Sequence, residues 1–339
     1  MNSIERITAA VTFGLPDRVP VIPQIFGHSA ILAGHTLLDY VQNGDTAADC
    51  QLQALARYDG DVVFAAIDTC IETEAIGGEI RFRPDIYPAV ERPPLTPEHD
   101  FGHLAFPDPH HAARMPELLR MATRLREAVA DERLVVGIVQ GPMTLAVQFL
   151  GPETALYLAA DDPKCFEQLL DFNTELALRW GLAQLQAGVH LPMVFEPAGC
   201  PEVVPAAFFR ELIAPRLKRL FTAYREGGAL TNWLHIAGQS LSILPSYAAL
   251  GVDIGNFDYP VDPLQLQQAL PDTLCVDGNI KPLLFVEGTQ EEVEAESLRL
   301  IRLFEKRGGF ILSSGCEIPP EAKPENIEAM VQAARRPKD

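Results

Sequence analysis

The chain has 339 residues, of which 47% are hydrophobic and 22% charged, a composition typical of a folded globular protein. Its formal net charge of −19 argues against nucleic acid as a ligand, and against a polyanionic substrate unless basic residues gather locally. Six cysteines are too few for a disulfide framework in a chain of this length, and we expect them to be reduced. With no apolar stretch of membrane-spanning length and no secretion signal at the start, the sequence predicts a cytoplasmic protein.

Short apolar runs alternate with amphipathic stretches along the whole chain. The alternation predicts a parallel sheet, and eight strands predict closure into a (β/α)8 TIM barrel that forms a single domain over residues 1–339. We also expect a helical extension at the N-terminus and an excursion over the barrel mouth at Arg83–Met115. The predicted strands are Val19–Ile25, Asp61–Ile67, Leu134–Val139, Met193–Phe195, Leu230–Ile236, Val252–Phe257, Thr273–Val276 and Phe310–Leu312. The clearest predicted helices are Pro116–Ala130, Pro163–Ala187, Pro205–Glu226, Pro263–Leu270 and Glu291–Lys306.

An open doubly wound sheet is the alternative topology. It would normally carry a glycine-rich phosphate loop after its first strand, and the sequence contains neither G-x-G-x-x-G nor G-K-[ST]. The barrel is therefore favoured, and its reactive groups are expected at the carboxyl ends of the strands.

Polar residues follow most of the predicted strands and should meet on one rim. His235 and Cys316 each stand where an apolar run gives way to a glycine turn, and imidazole with thiolate suits zinc better than a hard cation. Each also has a structural interpretation, His235 as a hydrogen-bonded core histidine and Cys316 as a small buried apolar residue. The other polar residues expected on this rim are Gln24, Asp68, Glu196, Asp258 and Asp277.

Several motifs together resemble the uroporphyrinogen decarboxylase superfamily over nearly the whole chain. They are Arg18-Val19-Pro20, Gly141-Pro142-Met143-Thr144-Leu145, Leu234-His235-Ile236-Ala237-Gly238, Asp277-Gly278-Asn279-Ile280 and Ser314-Gly315-Cys316-Glu317-Ile318-Pro319-Pro320. Within the superfamily the sequence is most similar to the zinc-dependent, corrinoid-linked methyltransferases of the methylcobamide:coenzyme M type. Their signature is His-x-Cys followed far downstream by Gly-Cys. His235 and Cys316 match it, but Ala237 stands at the intervening cysteine.

This resemblance implies a zinc enzyme that moves a methyl group between a small molecule and cobalt. His235 and Cys316 would bind the metal, and the ligand missing at Ala237 would come from Cys200 or Glu196, both at the end of the fourth strand. A carboxylate ligand would favour activation of an ether or alcohol over a thiol. We expect catalytic roles for Glu196 and Asp68. Expected substrate contacts are Gln24, His28, Phe257, Asp258 and Asn279.

The cobalt is expected on a partner. The Asp-x-His-x-x-Gly segment typical of corrinoid modules does not occur, so a separate corrinoid (cobalamin) protein should dock over the barrel mouth. Decarboxylase relatives are often dimers, so the resemblance leaves a homodimer open, and the sequence itself does not fix the oligomeric state.

Two alternatives remain open. A uroporphyrinogen decarboxylase-like tetrapyrrole enzyme is disfavoured because the N-terminal region has no arginine between Arg18 and Arg57 to bind substrate carboxylates, although Asp68 falls where the decarboxylase keeps its pyrrole-binding aspartate. A degenerate barrel that binds a ligand without turnover is the third interpretation.

Overall fold

The structure is a computed structural model that describes residues 1–336. Its ten strands are β1 Val21–Ile22, β2 Val62–Ala65, β3 Glu79–Arg81, β4 Ala89–Arg92, β5 Leu134–Gln140, β6 Leu191–Phe195, β7 Trp233–His235, β8 Ile254–Phe257, β9 Cys275–Ile280 and β10 Phe310–Ser314. Eight of them form one parallel sheet in the order β1-β10-β9-β8-β7-β6-β5-β2. Each of the eight predicted barrel strands is confirmed.

Helices surround the sheet. They are α1 Ser3–Val11, α2 Gly27–Leu32, α3 Leu37–Gln42, α4 Gly44–Tyr58, α5 Ile71–Ala75, α6 Met115–Val129, α7 Pro142–Leu150, α8 Pro152–Asp161, α9 Pro163–Gln186, α10 Ala206–Phe208, α11 Ala214–Glu226, α12 Pro263–Ala269, α13 Leu284–Glu287, α14 Gln290–Glu305 and α15 Pro324–Arg335. Short 3-10 helices cover Phe101–His103, Pro197–Gly199 and Leu244–Leu250, and a π-helical turn covers Phe209–Ile213. Residues 1–336 include no helix with both the length and the apolar character needed to cross a membrane.

The predicted helix Pro205–Glu226 is interrupted, and its own sequence explains why. Pro215 lies inside it and has no N–H to donate to the carbonyl of Glu211, with which its ring would collide in a regular α-helix. The chain widens into the π-helical turn Phe209–Ile213 just before Pro215 and resumes as α11.

The barrel closes between β1 and β2 through Asp61. Its backbone N–H donates to the Val21 carbonyl at 3.0 Å, and its side chain accepts from the Val21 N–H at 2.8 Å. The same fully buried carboxylate is paired with Arg6 and Arg18. Helix α1, the predicted N-terminal extension, brings Arg6 to this seam.

The strands are buried on both faces, as in other parallel sheets covered by helices. All seven residues of β5, Leu-Val-Val-Gly-Ile-Val-Gln, are buried. Inside the barrel Asp277 accepts hydrogen bonds from the Trp233 indole at 2.8 Å and from Asn256 at 3.1 Å. The interior below the mouth is therefore filled by hydrogen-bonded polar side chains rather than open.

The predicted excursion over the mouth is confirmed. It begins earlier than the predicted Arg83, because its antiparallel hairpin starts with β3 at Glu79 and returns as β4, and it also contains the 3-10 helix Phe101–His103. Tyr87, in the hairpin loop, donates from its hydroxyl to the Glu317 carboxylate, which follows β10. The hairpin loop thus covers the carboxyl ends of the strands.

Candidate functional site

His235 and Cys316 meet at the barrel mouth. His235 is the last residue of β7, and Cys316 comes two residues after β10. These strands are separated by β8 and β9, yet the His235 Nε2 and the Cys316 Sγ are 3.7 Å apart. A nitrogen and a sulfur from distant parts of the chain thus face one point at the end of the barrel that carries chemistry in this fold.

The His235 ring is fixed on one side by Phe195. The two rings stack with centroids 4.5 Å apart and planes at 25°. Burial lowers the pKa of His235 to about 3, so the imidazole is neutral. Among residues 1–336 its buried Nδ1 has no hydrogen-bond partner. A neutral imidazole whose Nε2 faces a sulfur is in the form that binds a metal ion.

The Cys316 thiol lies in a low-polarity setting. Burial, with a smaller contribution from the Asp258 carboxylate, raises the pKa of Cys316 to about 12. Asp258 itself accepts from the Gly238 N–H at 2.9 Å and from the Tyr259 N–H at 2.7 Å. A nearby cation would be required to convert this thiol to thiolate at neutral pH.

Cys200 lies beside the turn that follows His235. Gly238 adopts a φ of +91°, and a Cβ at this position would come within 2.9 Å of the Cys200 Sγ and 2.5 Å of the Glu202 carboxylate. Glycine is therefore required for the close approach of these side chains. Residues 1–336 nevertheless contain no group of three or more His, Cys, Asp and Glu side chains arranged to hold a metal ion.

Glu196 is held at the start of α7. One carboxylate oxygen accepts from the Thr144 N–H and the Thr144 hydroxyl, both at 2.7 Å, and the other accepts from the Met143 N–H at 3.0 Å. A Cβ on Gly141 would lie 2.2 Å from the same carboxylate, so this contact requires glycine. Burial raises the pKa of Glu196 to about 7. Both oxygens are thus engaged with the helix N-terminus, where a carboxylate is stabilised.

A cavity of about 140 Å³ adjoins the His235 side of the mouth. Its walls are mostly apolar or aromatic, and its polar residues are Asp68, Thr69, Tyr87 and Glu317. Asp68 is paired with the guanidinium of Arg114, whose own side chain also contacts Glu74 at 2.7 Å. The lining residues are Phe26, Ala66, Ile67, Asp68, Thr69, Tyr87, Ile138, Phe195 and Glu317.

None of the five expected substrate contacts lines this cavity, and of the five Asp258 is the one described above beside Cys316. Gln24 is fully buried and donates to the Ser314 carbonyl at 3.1 Å. The His28 ring contacts the Tyr58 hydroxyl and the Pro320 carbonyl. Phe257 packs against Phe304 of α14, with ring centroids 5.8 Å apart. Asn279 donates to the Val261 carbonyl at 2.9 Å.

Sequence reasoning missed three residues of the mouth. Glu317 directly follows Cys316 in the motif Ser314-Gly315-Cys316-Glu317, and its position beside a metal-ligand candidate was an available signal. Tyr87 and Arg114 belong to the excursion, which lacks periodicity. Their approach to the strand ends depends on tertiary packing and left no local signal.

Comparison with known proteins identifies the family. The family model for uroporphyrinogen decarboxylase (URO-D) matches residues 2–337. The chain belongs to the uroporphyrinogen decarboxylase family. The expected superfamily is therefore confirmed.

Relatives of this family member carry two different activities. A uroporphyrinogen decarboxylase from Aromatoleum aromaticum is 26% identical over 310 residues, covering 89% of this chain and 85% of the relative. The methylcobamide:CoM methyltransferase MtaA of Methanosarcina barkeri is also 26% identical, over 264 residues, covering 77% of this chain and 75% of the relative. Identity alone does not separate the two activities.

Solved structures of similar shape confirm the fold. A methyltransferase from Methanosarcina mazei superimposes with a TM-score of 0.90 at 22% identity, covering 99% of this chain and 98% of the other. A B12-independent methionine synthase from Shewanella sp. gives a TM-score of 0.59 at 16% identity, covering 86% and 87% of the two chains. The (β/α)8 barrel prediction is therefore confirmed.

Proposed function

We propose that this protein is a zinc-dependent methyltransferase that moves a methyl group between a small molecule and the cobalt of a separate corrinoid protein. The observation that carries the proposal is the 3.7 Å approach of the His235 Nε2 and the Cys316 Sγ at the barrel mouth. Both are at the positions of the His-x-Cys and Gly-Cys signature. The relation to an MtaA methyltransferase supports the same activity.

The donor chemistry of this pair fits zinc, which prefers neutral imidazole and thiolate. A third ligand is needed, and we favour Cys200 over Glu196. Cys200 lies next to Gly238, adjacent to the position where Ala237 replaces a cysteine, whereas both Glu196 oxygens already accept hydrogen bonds from α7. When bound, zinc would supply a Lewis acid that holds a thiol as thiolate or polarises an oxygen leaving group.

Residues around the pair would position it and exclude water. Phe195 fixes the His235 ring by stacking and also lines the cavity in which the small molecule would lie. Asp258 joins the turn after β7 to the segment after β8 through the Gly238 and Tyr259 N–H groups. The ion pair of Asp68 with Arg114 would hold the cavity wall, rather than Asp68 transferring a proton.

The cavity disfavours the decarboxylase alternative. At about 140 Å³ it is smaller than the roughly 300–1,000 Å³ typical of sites for drug-sized ligands, and a porphyrinogen is larger still. Its lining residues, all within the described chain, include no lysine or arginine to pair with substrate carboxylates. The degenerate-barrel alternative gives no reason for the convergence of His235 and Cys316.

A demethylation assay tests the proposal. Methylcobalamin and a small thiol are mixed with the zinc-loaded protein, and absorption spectra follow the cobalt. Transfer of the methyl group to the thiolate sulfur leaves both electrons of the cobalt–carbon bond on cobalt, as Co(I). We expect Cys316→Ala to abolish turnover and Cys165→Ala, a partly exposed thiol on α9, to retain it.

The reverse assay offers methoxylated and N-methylated compounds to Co(I). Absence of transfer in both directions, with zinc bound and a corrinoid protein present, would contradict the proposal. Tight binding of a tetrapyrrole by the same protein would then favour the decarboxylase activity.

A further inference from the structure

We propose that the 140 Å³ cavity at the mouth binds a small methylated ammonium cation and that Glu317 is its counter-ion. The inference rests on the proposed function, since it names the class of methyl-bearing molecule that the methyltransferase would use. The aromatic cavity walls, an acid without a cationic partner and the position of the cavity beside the His235–Cys316 pair support it.

The cavity walls suit methylated nitrogen. Three aromatic side chains line it, Phe26, Phe195 and Tyr87, and the remaining apolar wall is formed by Ala66, Ile67 and Ile138. The Phe26 and Phe195 rings are 6.3 Å apart and inclined at 55°, so they form two differently oriented aromatic surfaces. Aromatic rings attract quaternary and methylated ammonium groups electrostatically, while the methyl groups make apolar contacts.

Glu317 is an acid of the cavity that has no cationic partner among residues 1–336. Its Oε1 accepts from the Tyr87 hydroxyl and, at 3.4 Å, from the Gly27 N–H. Within residues 1–336 no hydrogen-bond donor reaches its Oε2, and no lysine or arginine is paired with the carboxylate. Asp68, the other acid of the cavity, is already neutralised by Arg114. A cationic ligand would supply the missing charge partner for Glu317.

The volume of the cavity and the net charge of the chain both favour a small cation as the ligand. A volume of about 140 Å³ fits a group of a few non-hydrogen atoms, such as trimethylammonium or tetramethylammonium. The formal net charge of −19 would attract small cations to the molecule and repel anions.

The cavity also lies beside the proposed metal ligands. Phe195 lines the cavity and stacks on His235, and Glu317 is the residue after Cys316. A methyl group held between the aromatic walls and Glu317 would therefore be next to the His235–Cys316 pair.

Binding of tetramethylammonium, compared with its neutral analogue tert-butanol, tests the inference. Calorimetry is performed on full-length protein treated with a chelator, so that the result does not depend on zinc. We expect tetramethylammonium to bind at least about tenfold more tightly than tert-butanol, as a desolvated cation–aromatic and ion-pair contact would give. Glu317→Gln should weaken the cation at least about tenfold and leave tert-butanol unchanged.

Glu321→Gln is the matched control because Glu321 is an exposed acid four residues away, and it should bind as the unmodified protein does. Thermal unfolding by circular dichroism checks that each variant is folded. If Glu317→Gln does not fold, Phe195→Leu and the comparison of the two ligands on the unmodified protein decide the question.

Equal binding of tetramethylammonium and tert-butanol, or unchanged cation affinity in folded Glu317→Gln, would overturn the inference. Because the protein is zinc-free, failure of the methyltransferase proposal would appear instead as absent zinc or absent methyl transfer, with cation binding intact.

Discussion

At the scale of single residues, Glu196 and Cys200 differ in how firmly hydrogen bonds hold their side chains. Both follow β6, and the sequence alone leaves them equally plausible as the third zinc ligand. Glu196 accepts three hydrogen bonds from Met143 and Thr144, whereas Cys200 makes only a long contact of 3.8 Å with Glu202. A side chain with few partners can move to a metal at lower cost than one that anchors a helix.

Replacing Glu196 by Gln should destabilise the fold without removing zinc. The amide can accept at only one end, so a buried N–H at the start of α7 loses its partner, at a cost of about 1–3 kcal/mol in the free energy of unfolding. Urea unfolding measures this loss. Glu211→Gln, an exposed acid, is the control and should change stability by less than about 0.5 kcal/mol.

Replacing Cys200 by Ala should lower zinc affinity and have a smaller effect on stability than Glu196→Gln has. We expect the stability of the metal-free protein to fall by no more than about 1 kcal/mol, because Cys200 is buried but its thiol has only the long contact with Glu202 as a polar partner within residues 1–336. Zinc affinity should fall at least about tenfold because a ligand is lost. Competition with a chelator measures the affinity. If zinc affinity falls in Glu196→Gln and not in Cys200→Ala, then Glu196 is the third ligand.

At the scale of elements, the seam between β1 and β2 depends on Asp61. The carboxylate is fully buried and joins β1 to α1 through Val21, Arg6 and Arg18. In Asp61→Ala the partly buried Arg18 loses its carboxylate partner, Arg6 keeps only Asp17, and the Val21 N–H loses its acceptor, so we expect the free energy of unfolding to fall by about 3–5 kcal/mol. Chemical denaturation measures it.

Asp17→Ala is the matched control at this seam. Asp17 also pairs with Arg6, but its side chain is 42% exposed. We therefore expect a loss of only about 0–1 kcal/mol. Equal losses in the two variants would contradict the assignment of Asp61 as the residue that closes the barrel.

The elements themselves could be predicted because burial leaves a strong pattern. Parallel strands covered on both faces read as continuous apolar runs, as in β5, and all eight were found. Boundaries were less accurate. Only Val21–Ile22 of the predicted Val19–Ile25 pairs as a strand, and β9 continues to Ile280, beyond the predicted end at Val276, because Asp277 and Asn279 are polar yet buried.

At the scale of the whole molecule, buried acids link stability to pH. Burial raises the pKa of Glu72 from its ordinary value of 4.5 to about 7. Between these values the folded protein keeps a proton that the unfolded chain has lost, so the free energy of unfolding falls as pH rises, by at most about 1.4 kcal/mol per pH unit for this group.

Glu72→Gln should remove this contribution. The variant should lose less stability than the unmodified protein between pH 5 and pH 7, and the Gln140 N–H would keep an acceptor. Denaturation at a series of pH values measures the slopes. Glu91→Gln, an exposed acid on β4, should follow the unmodified protein, and an unchanged slope in Glu72→Gln would contradict the raised pKa.

The mouth of the barrel could be predicted only in part. His235 and Cys316 lie at strand ends with glycine nearby. Because the carboxyl ends of barrel strands meet at one mouth, the two residues come together although 81 residues separate them in the sequence. His28 follows the predicted first strand and Phe257 ends β8, yet the side chains of both pack away from the cavity. Which way a side chain points after a strand depends on neighbours such as Tyr58 and Phe304, which no local pattern reveals.

The metal content of the purified protein tests the central claim most directly. Elemental analysis should find about one zinc per chain, lost in Cys316→Ala and retained in Cys165→Ala. That result would identify Cys316 as a metal ligand and place His235, 3.7 Å from its sulfur, beside the metal. A folded, unmodified protein that purifies without zinc and does not take it up when zinc is supplied would contradict the account.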